Sequence, residues 1–197
     1  MWFLILFSVV SIMGDLNTGN SGVEVEKRSP KILVVYYSSS GITEKVGGLL
    51  AVALEADQEK LVDKKERKGV WNYLVAAKDA MMKYETDIET PKYNPADYDL
   101  VIIGTPVWAW TMTPAVRTYI TKNKDKLKNV VFFTTSGGTV YDKIVPEMET
   151  LSGKKAVISN GFFEKEVKED SKEMIDKLNK FLENIEFSFC EDLILFQ

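Results

Sequence analysis

Four short runs rich in apolar and β-branched residues constrain this fold more than any other feature. They are Lys31–Tyr37 (KILVVYY), Asp99–Thr105 (DLVIIGT), Asn129–Thr134 (NVVFFT) and Lys155–Ser159 (KAVIS). Each is too short for a packed helix and reads as a strand buried on both faces. Helix-period stretches lie between them. In Thr43–Ala56, Val46, Leu49, Leu50, Ala53 and Leu54 fall on one helical face. Gly47 and Gly48 inside it each cost about 1 kcal/mol relative to Ala, which close packing of helix on sheet would explain. Val70–Tyr84 carries Trp71, Leu74, Val75, Met81 and Met82, with Lys78 interrupting the expected inner face. A helix opens at Pro114 after a capping Thr113, with Val116, Tyr119 and Ile120 inward. Val140–Leu151 is helical in pattern, with Pro146 restricting its start or kinking it, and Asp170–Ile185 turns Met174, Ile175, Leu178, Phe181 and Leu182 inward. A weaker strand is expected near Glu59–Val62, and Glu85–Tyr98 reads as a loop.

Strand and helix thus alternate about five times, which argues for one α/β domain with a parallel sheet covered on both faces. The division is 1–30, 31–186 and 187–197: an apolar segment with a polar linker, the domain, and an apolar tail. Trp2–Met13 is shorter than the ~20 residues of a membrane span and has no preceding Lys or Arg. A bland extension on a cytoplasmic protein is the expectation, with export or membrane association through residues 1–13 as the alternative. The tail (FSFCEDLILF) is apolar enough to need burial, on its own domain or in a homodimer. The run Lys64, Lys65, Arg67 and Lys68 reads as a solvated face.

The chain has no histidine and one cysteine, Cys190. An internal disulfide, a Cys/His zinc site, a histidine base and a thiolate-held iron–sulfur cluster are thereby excluded. Redox chemistry would have to come from an organic cofactor. A net charge of -4 gives no basic footprint for nucleic acid.

In such sheets ligands bind beyond the carboxyl ends of the strands. Three loops are expected there. Ser38-Ser39-Ser40-Gly41-Ile42-Thr43 places hydroxyls and a glycine before a helix N-terminus, a setting that attracts phosphate; ordinary capping is the competing explanation. Thr105-Pro106-Val107-Trp108-Ala109-Trp110-Thr111 sets two tryptophans directly after a buried strand, suited to covering a flat conjugated ligand. Thr134-Thr135-Ser136-Gly137-Gly138-Thr139 lets backbone approach a ligand closely.

Ser38–Thr43 resembles the flavodoxin phosphate loop, [ST]-x-[ST]-G-x-T after the first strand. GTPVWAWTMTPAVRTYI (Gly104–Ile120) is similar to the second flavin loop and helix of small flavodoxin and quinone-reductase-like proteins. The resemblance covers roughly Lys31–Ile185. It implies a three-layer flavodoxin-like sandwich with a five-stranded parallel sheet, ordered 2-1-3-4-5, and FMN as cofactor. It implies that Ser38, Ser40 and Thr43 bind the FMN phosphate, that Pro106–Ala109 follow the flavin's reactive edge with Trp108 shielding one face, and that Thr135–Gly138 lie on its other side. Many members carry Asn where Ile42 stands, which removes one polar contact. No Walker A loop or dinucleotide fingerprint follows the first strand. Gly104 and Thr105 stand where a receiver domain needs its phospho-accepting Asp, and the first loop lacks a phosphatase's nucleophilic Cys.

Three activities stay open on this reading. One is an electron carrier between partner proteins. The second is an oxidoreductase taking hydride from NAD(P)H to a quinone-like acceptor. The third is an interaction module without flavin. Low-potential flavodoxins surround the flavin with acids, which raise the energy of its negatively charged reduced form. Here the second and third loops contain no Asp or Glu, so acids would have to come from elsewhere in the fold.

Overall fold

The computed structural model describes residues 29–65, 70–138 and 143–195, with side chains apart from those of residues 70–73 and 189–195. In its sheet β1 (Ile32–Tyr36) lies between β2 (Asp57–Lys60) and β3 (Leu100–Trp108). Beyond β3 come β5 (Asn129–Ser136) and β6 (Ala156–Phe163), giving the order β2-β1-β3-β5-β6 with every pair parallel. This is the expected 2-1-3-4-5 order, with one addition: β4 (Thr111–Met112) turns back antiparallel onto the end of β3.

Alternation along the strands builds two cores. Leu33, Val35, Val101, Ile103, Val130 and Phe132 face one layer, with α3 (Pro114–Asn123) and α4 (Ile144–Ser152). Val34, Tyr36, Leu100, Ile102, Val131 and Phe133 face the other, with α1 (Ile42–Ala53) and α6 (Lys172–Leu195). Burial on both faces is why these strands read as continuous apolar runs. Gly104 is required by packing: a Cβ there would lie 2.1 Å from the Phe133 ring.

The helices sit where the pattern puts them, but two present different faces. In α1 the buried residues are Ile42, Thr43, Val46, Gly47, Leu50 and Ala51, whereas Leu49 and Ala53 are exposed. Gly47 brings the helix onto the sheet, since a Cβ would lie 2.6 Å from the Tyr36 ring; Gly48 has open space. In α2 (Val70–Met81) the contrast is sharper. Ala76 and Ala80 are buried, while Leu74, Val75, Met81 and Met82 are exposed. The helix turns its small face inward, and small side chains permit close approach to β3, β4 and α3. Trp71 has its side chain outside the described residues.

Pro146 does not kink α4. It occupies the first helical turn, where a backbone N–H has no intrahelical partner to lose. α4 begins at Ile144, and residues 140–142 of the expected stretch lie outside the described residues. Ile175 is exposed on α6, whereas Met174, Leu178, Phe181 and Ile185 are buried. α6 continues to Leu195, so most of the expected separate tail is helix. A short α5 (Glu164–Lys168) joins β6 to α6.

The two sheet edges differ. β2 is four polar residues long, and its Glu59 accepts hydrogen bonds from the backbone N–H groups of Lys92 and Tyr93. β6 is eight residues long (AVISNGFF), pairs only with β5 among the described strands, and has a register irregularity opposite Val130–Phe132. No described helix is long and apolar enough to cross a membrane. Residues 1–28, Arg67, Lys68 and the side chain of Cys190 lie outside the described residues.

Candidate functional site

Because β1, β3 and β5 are neighbours in the sheet, the three loops at their carboxyl ends lie side by side. A contact confirms this for the first and third: Thr43 Oγ1 and Thr135 Oγ1 share a buried hydrogen bond of 2.7 Å. The first and second meet through Tyr37 and Trp108, whose rings stand edge to face with centroids 5.6 Å apart.

The first loop enters α1 through Gly41, which has φ +88° and serves as N-cap without a side chain to cap the helix. That φ is why glycine stands here. Gly41 N donates to Ser38 Oγ at 3.1 Å, closing the turn, while Ser39, Ser40 and Gly41 are exposed. Ile42 is a core residue packed with Val46 and Leu50, so only its backbone faces the loop. Of the charged groups in the first turn, Glu44 pairs with Lys60, and Lys45 Nζ donates to Val167 O and pairs with Asp170. What remains open is a helix N-terminus with exposed hydroxyls, a neutral donor set suited to an anion.

The second loop is a correction to the sequence reading. β3 and β5 stay paired as far as Pro106 and Thr135, so Pro106, Val107 and Trp108 are strand, and a tight hairpin follows. Its two turn residues are Ala109 at φ +45° and Trp110 at φ +62°. Two consecutive positive φ values mark a type I′ turn, which normally takes Asn or Gly. Trp110 is 72% exposed at the tip, whereas Trp108 is half-buried against Tyr37. Thr113 N donates to Thr105 Oγ1 at 3.1 Å, and the two hydroxyls are 3.2 Å apart. Thr113 is the N-cap of α3, but its side chain bonds Thr105 rather than the helix.

The third loop is shorter than expected, since Thr134, Thr135 and Ser136 belong to β5. Gly137 and Gly138 are exposed, and Thr139 lies outside the described residues. An acid does reach this loop: a Cβ on Gly137 would lie 3.9 Å from Glu164 Oε2. Glu164 comes from the start of α5 and pairs with Lys168. Both line a cleft of about 300 Å³ beside Gly137.

Beneath the hairpin lies a charged cluster that no sequence pattern signalled. Thr111 Oγ1 donates to Glu147 Oε2; Arg117 Nη2 donates to Thr111 Oγ1 at 3.1 Å and to Glu147 Oε1 at 2.9 Å. Lys83 Nζ adds a pair to Glu147 at 3.0 Å. Arg117 and Thr111 are each 5% exposed. Burial pushes the Glu147 carboxyl up, but hydrogen bonds from Thr111, Arg117 and Lys83 together outweigh it and hold it below the usual range. These residues come from two helices, a strand and the turn after α2, and their separation in sequence hides the cluster.

The family model described as flavodoxin matches residues 31–185. The chain belongs to the flavodoxin family. No curated protein matches it. Among solved structures, this flavodoxin-family chain is similar to the flavoprotein of Lactobacillus acidophilus NCFM crystallised in complex with FMN. The two are 22% identical over 71% of this chain and 97% of the other, with a TM-score of 0.61. A protein of Bacteroides eggerthii DSM 20697 is 25% identical over 71% and 94%, with a TM-score of 0.60. A protein of Bacteroides uniformis ATCC 8492 is 22% identical over 72% and 97%, with a TM-score of 0.58. The matched flavodoxin region begins at Lys31 and ends within α6.

Proposed function

We propose that this chain binds FMN non-covalently at the carboxyl edge of its sheet and transfers electrons through it. The observation that carries the reading is the 2.7 Å Thr43–Thr135 bond, which holds the first and third loops together beside an uncapped helix N-terminus. The donor set fits a phosphate: exposed Ser39, Ser40 and Gly41 lead into the N–H groups of α1, with no unpaired acid in its first turn. Ser38, Ile42 and Thr43 shape that cradle, Ser38 by closing the turn and Ile42 by anchoring it in the core. Pro106, Val107 and Trp108 form an apolar wall that excludes water on one side. Ala109 and Trp110 cap its outer end, and Thr135, Ser136, Gly137 and Gly138 offer backbone groups on the other. Bound FMN supplies the one- and two-electron redox chemistry that none of these side chains possesses.

Electrons then pass to a redox partner protein. A second reading, a reductase accepting hydride from NAD(P)H and passing it to a quinone-like acceptor, is favoured by the charge around the hairpin. Pro106–Thr111 and Thr135–Gly138 carry no acid, and Glu164 beside Gly137 is neutralised by Lys168. The test is to add FMN to purified protein, remove the excess and record the absorption spectrum. Retained flavin bands with quenched fluorescence support the reading, and FMN washing through a folded protein ends it. Anaerobic NADPH in the same cuvette separates the two activities, since direct bleaching marks the reductase.

A further inference from the structure

The hairpin after β3 adopts a conformation its own sequence disfavours. Ala109 and Trp110 both sit in the left-handed region, where a side chain is strained. Such a turn persists only when its surroundings impose it. Thr111 is the cross-strand partner of Trp108, so whatever fixes Thr111 also fixes the strand backbone that presents the indole. Its hydroxyl is held from both sides, donating to Glu147 and accepting from Arg117. Glu147 is on α4, the first described helix after the third loop. The indole in turn packs edge-on against Tyr37, the residue immediately before Ser38.

We propose that Thr111 and Glu147 are positioning residues for the flavin site. Their hydrogen bond clamps the strained hairpin to α4 and thereby sets Trp108 against Tyr37. This rests on the FMN reading above, and it adds a device that touches no ligand itself. The second loop is then not an independent lid; it is indexed to the helix that follows the third loop.

The test uses the full chain with Thr111→Val, which keeps the β-branched shape and removes the hydroxyl, and Thr111→Ser, which restores the hydroxyl. FMN is titrated into each protein by fluorescence quenching, and near-ultraviolet circular dichroism and melting curves are recorded without flavin. Thr111→Val is expected to bind FMN about tenfold more weakly, the scale of one lost hydrogen bond. It should also alter the aromatic dichroism, with a melting temperature within roughly 3 °C of the parent. Thr111→Ser should regain both affinity and spectrum. Unchanged affinity in Thr111→Val, or equal loss in both variants, overturns the proposal. If the parent protein takes up no FMN, the functional reading fails separately. The flavin-free spectra then decide: an altered Thr111→Val spectrum restored by Thr111→Ser supports the clamp, and an unaltered one refutes it.

Discussion

Replacing Gly104 with alanine tests the packing that holds the sheet together under the site. Gly104 lies in β3 directly opposite Phe133 of β5, and the phenyl ring covers the space where a side chain would stand. The added Cβ would meet Phe133 Cζ at 2.1 Å and both Cε atoms within 2.6 Å. The closest approach is roughly 1.4 Å short of ordinary carbon–carbon contact. Neither neighbour yields easily, because Phe133 is fully buried in the same core cluster as Val34, Ile102 and Phe162. Overpacking of this kind costs about 1–3 kcal/mol, and the depth of the clash puts Gly104→Ala near the upper end. Urea unfolding should therefore show a lower midpoint with an unchanged slope. The companion variant isolates the cause. Phe133→Ala alone costs about 3–5 kcal/mol through its cavity, and the new methyl then enters vacated space. In that background Gly104→Ala should cost less than about 0.5 kcal/mol. A penalty that persists without the ring would refute the steric argument and point to backbone effects instead. So would a single variant as stable as the parent.

Adjacent glycines in α1 should respond oppositely. Gly47→Ala drives a methyl to 2.6 Å from the Tyr36 ring and destabilises, whereas Gly48→Ala meets nothing and gains about 1 kcal/mol of helix propensity, both read by urea midpoints. Glu147→Gln should remove an acid limb from the stability curve. The Glu147 carboxyl is held below its reference value of 4.5 in the folded chain, so its contribution is complete above that pH and fades as pH falls through the folded pKa. The gap between parent and variant in thermal melts should be widest near neutrality and narrow below about pH 4.5; a constant gap would contradict the assignment. Gly41→Ala has free space but a φ of +88°, so it should lose about 1–2 kcal/mol through backbone strain alone, measured by melting temperature.

The strands were legible because burial on both faces leaves an unmistakable apolar run, as in Leu100–Ile103. Their order followed from the family resemblance, and the observed sheet agrees with it. Helix existence was legible and helix orientation less so. In α2 the bulky residues suggested the inner face, yet Ala76 and Ala80 occupy it, since volume rather than hydrophobicity decides what fits against the hairpin. β4 escaped notice because its turn, Ala109–Trp110, lacks the Asn-Gly signature of a type I′ hairpin. At the site, the loops after the three strands were readable from hydroxyls, glycines and tryptophans. The Thr111–Arg117–Glu147–Lys83 cluster was not, because nothing in a linear pattern records that residues from three elements and a turn converge. Glu164 likewise reaches Gly137 from a short helix that no periodicity announced.

The margins of the sheet limit how such molecules can add to one another. At the β2 margin the polar strand and the bonds from Lys92 and Tyr93 to Glu59 leave little for another chain to extend. At the β6 margin the backbone N–H groups of Ala156, Gly161 and Phe163 donate to the side chains of Glu149, Asn160 and Glu166, so this border too is partly guarded. Another strand could extend either border only by displacing bonds the chain already makes to itself, which opposes lateral growth of the sheet.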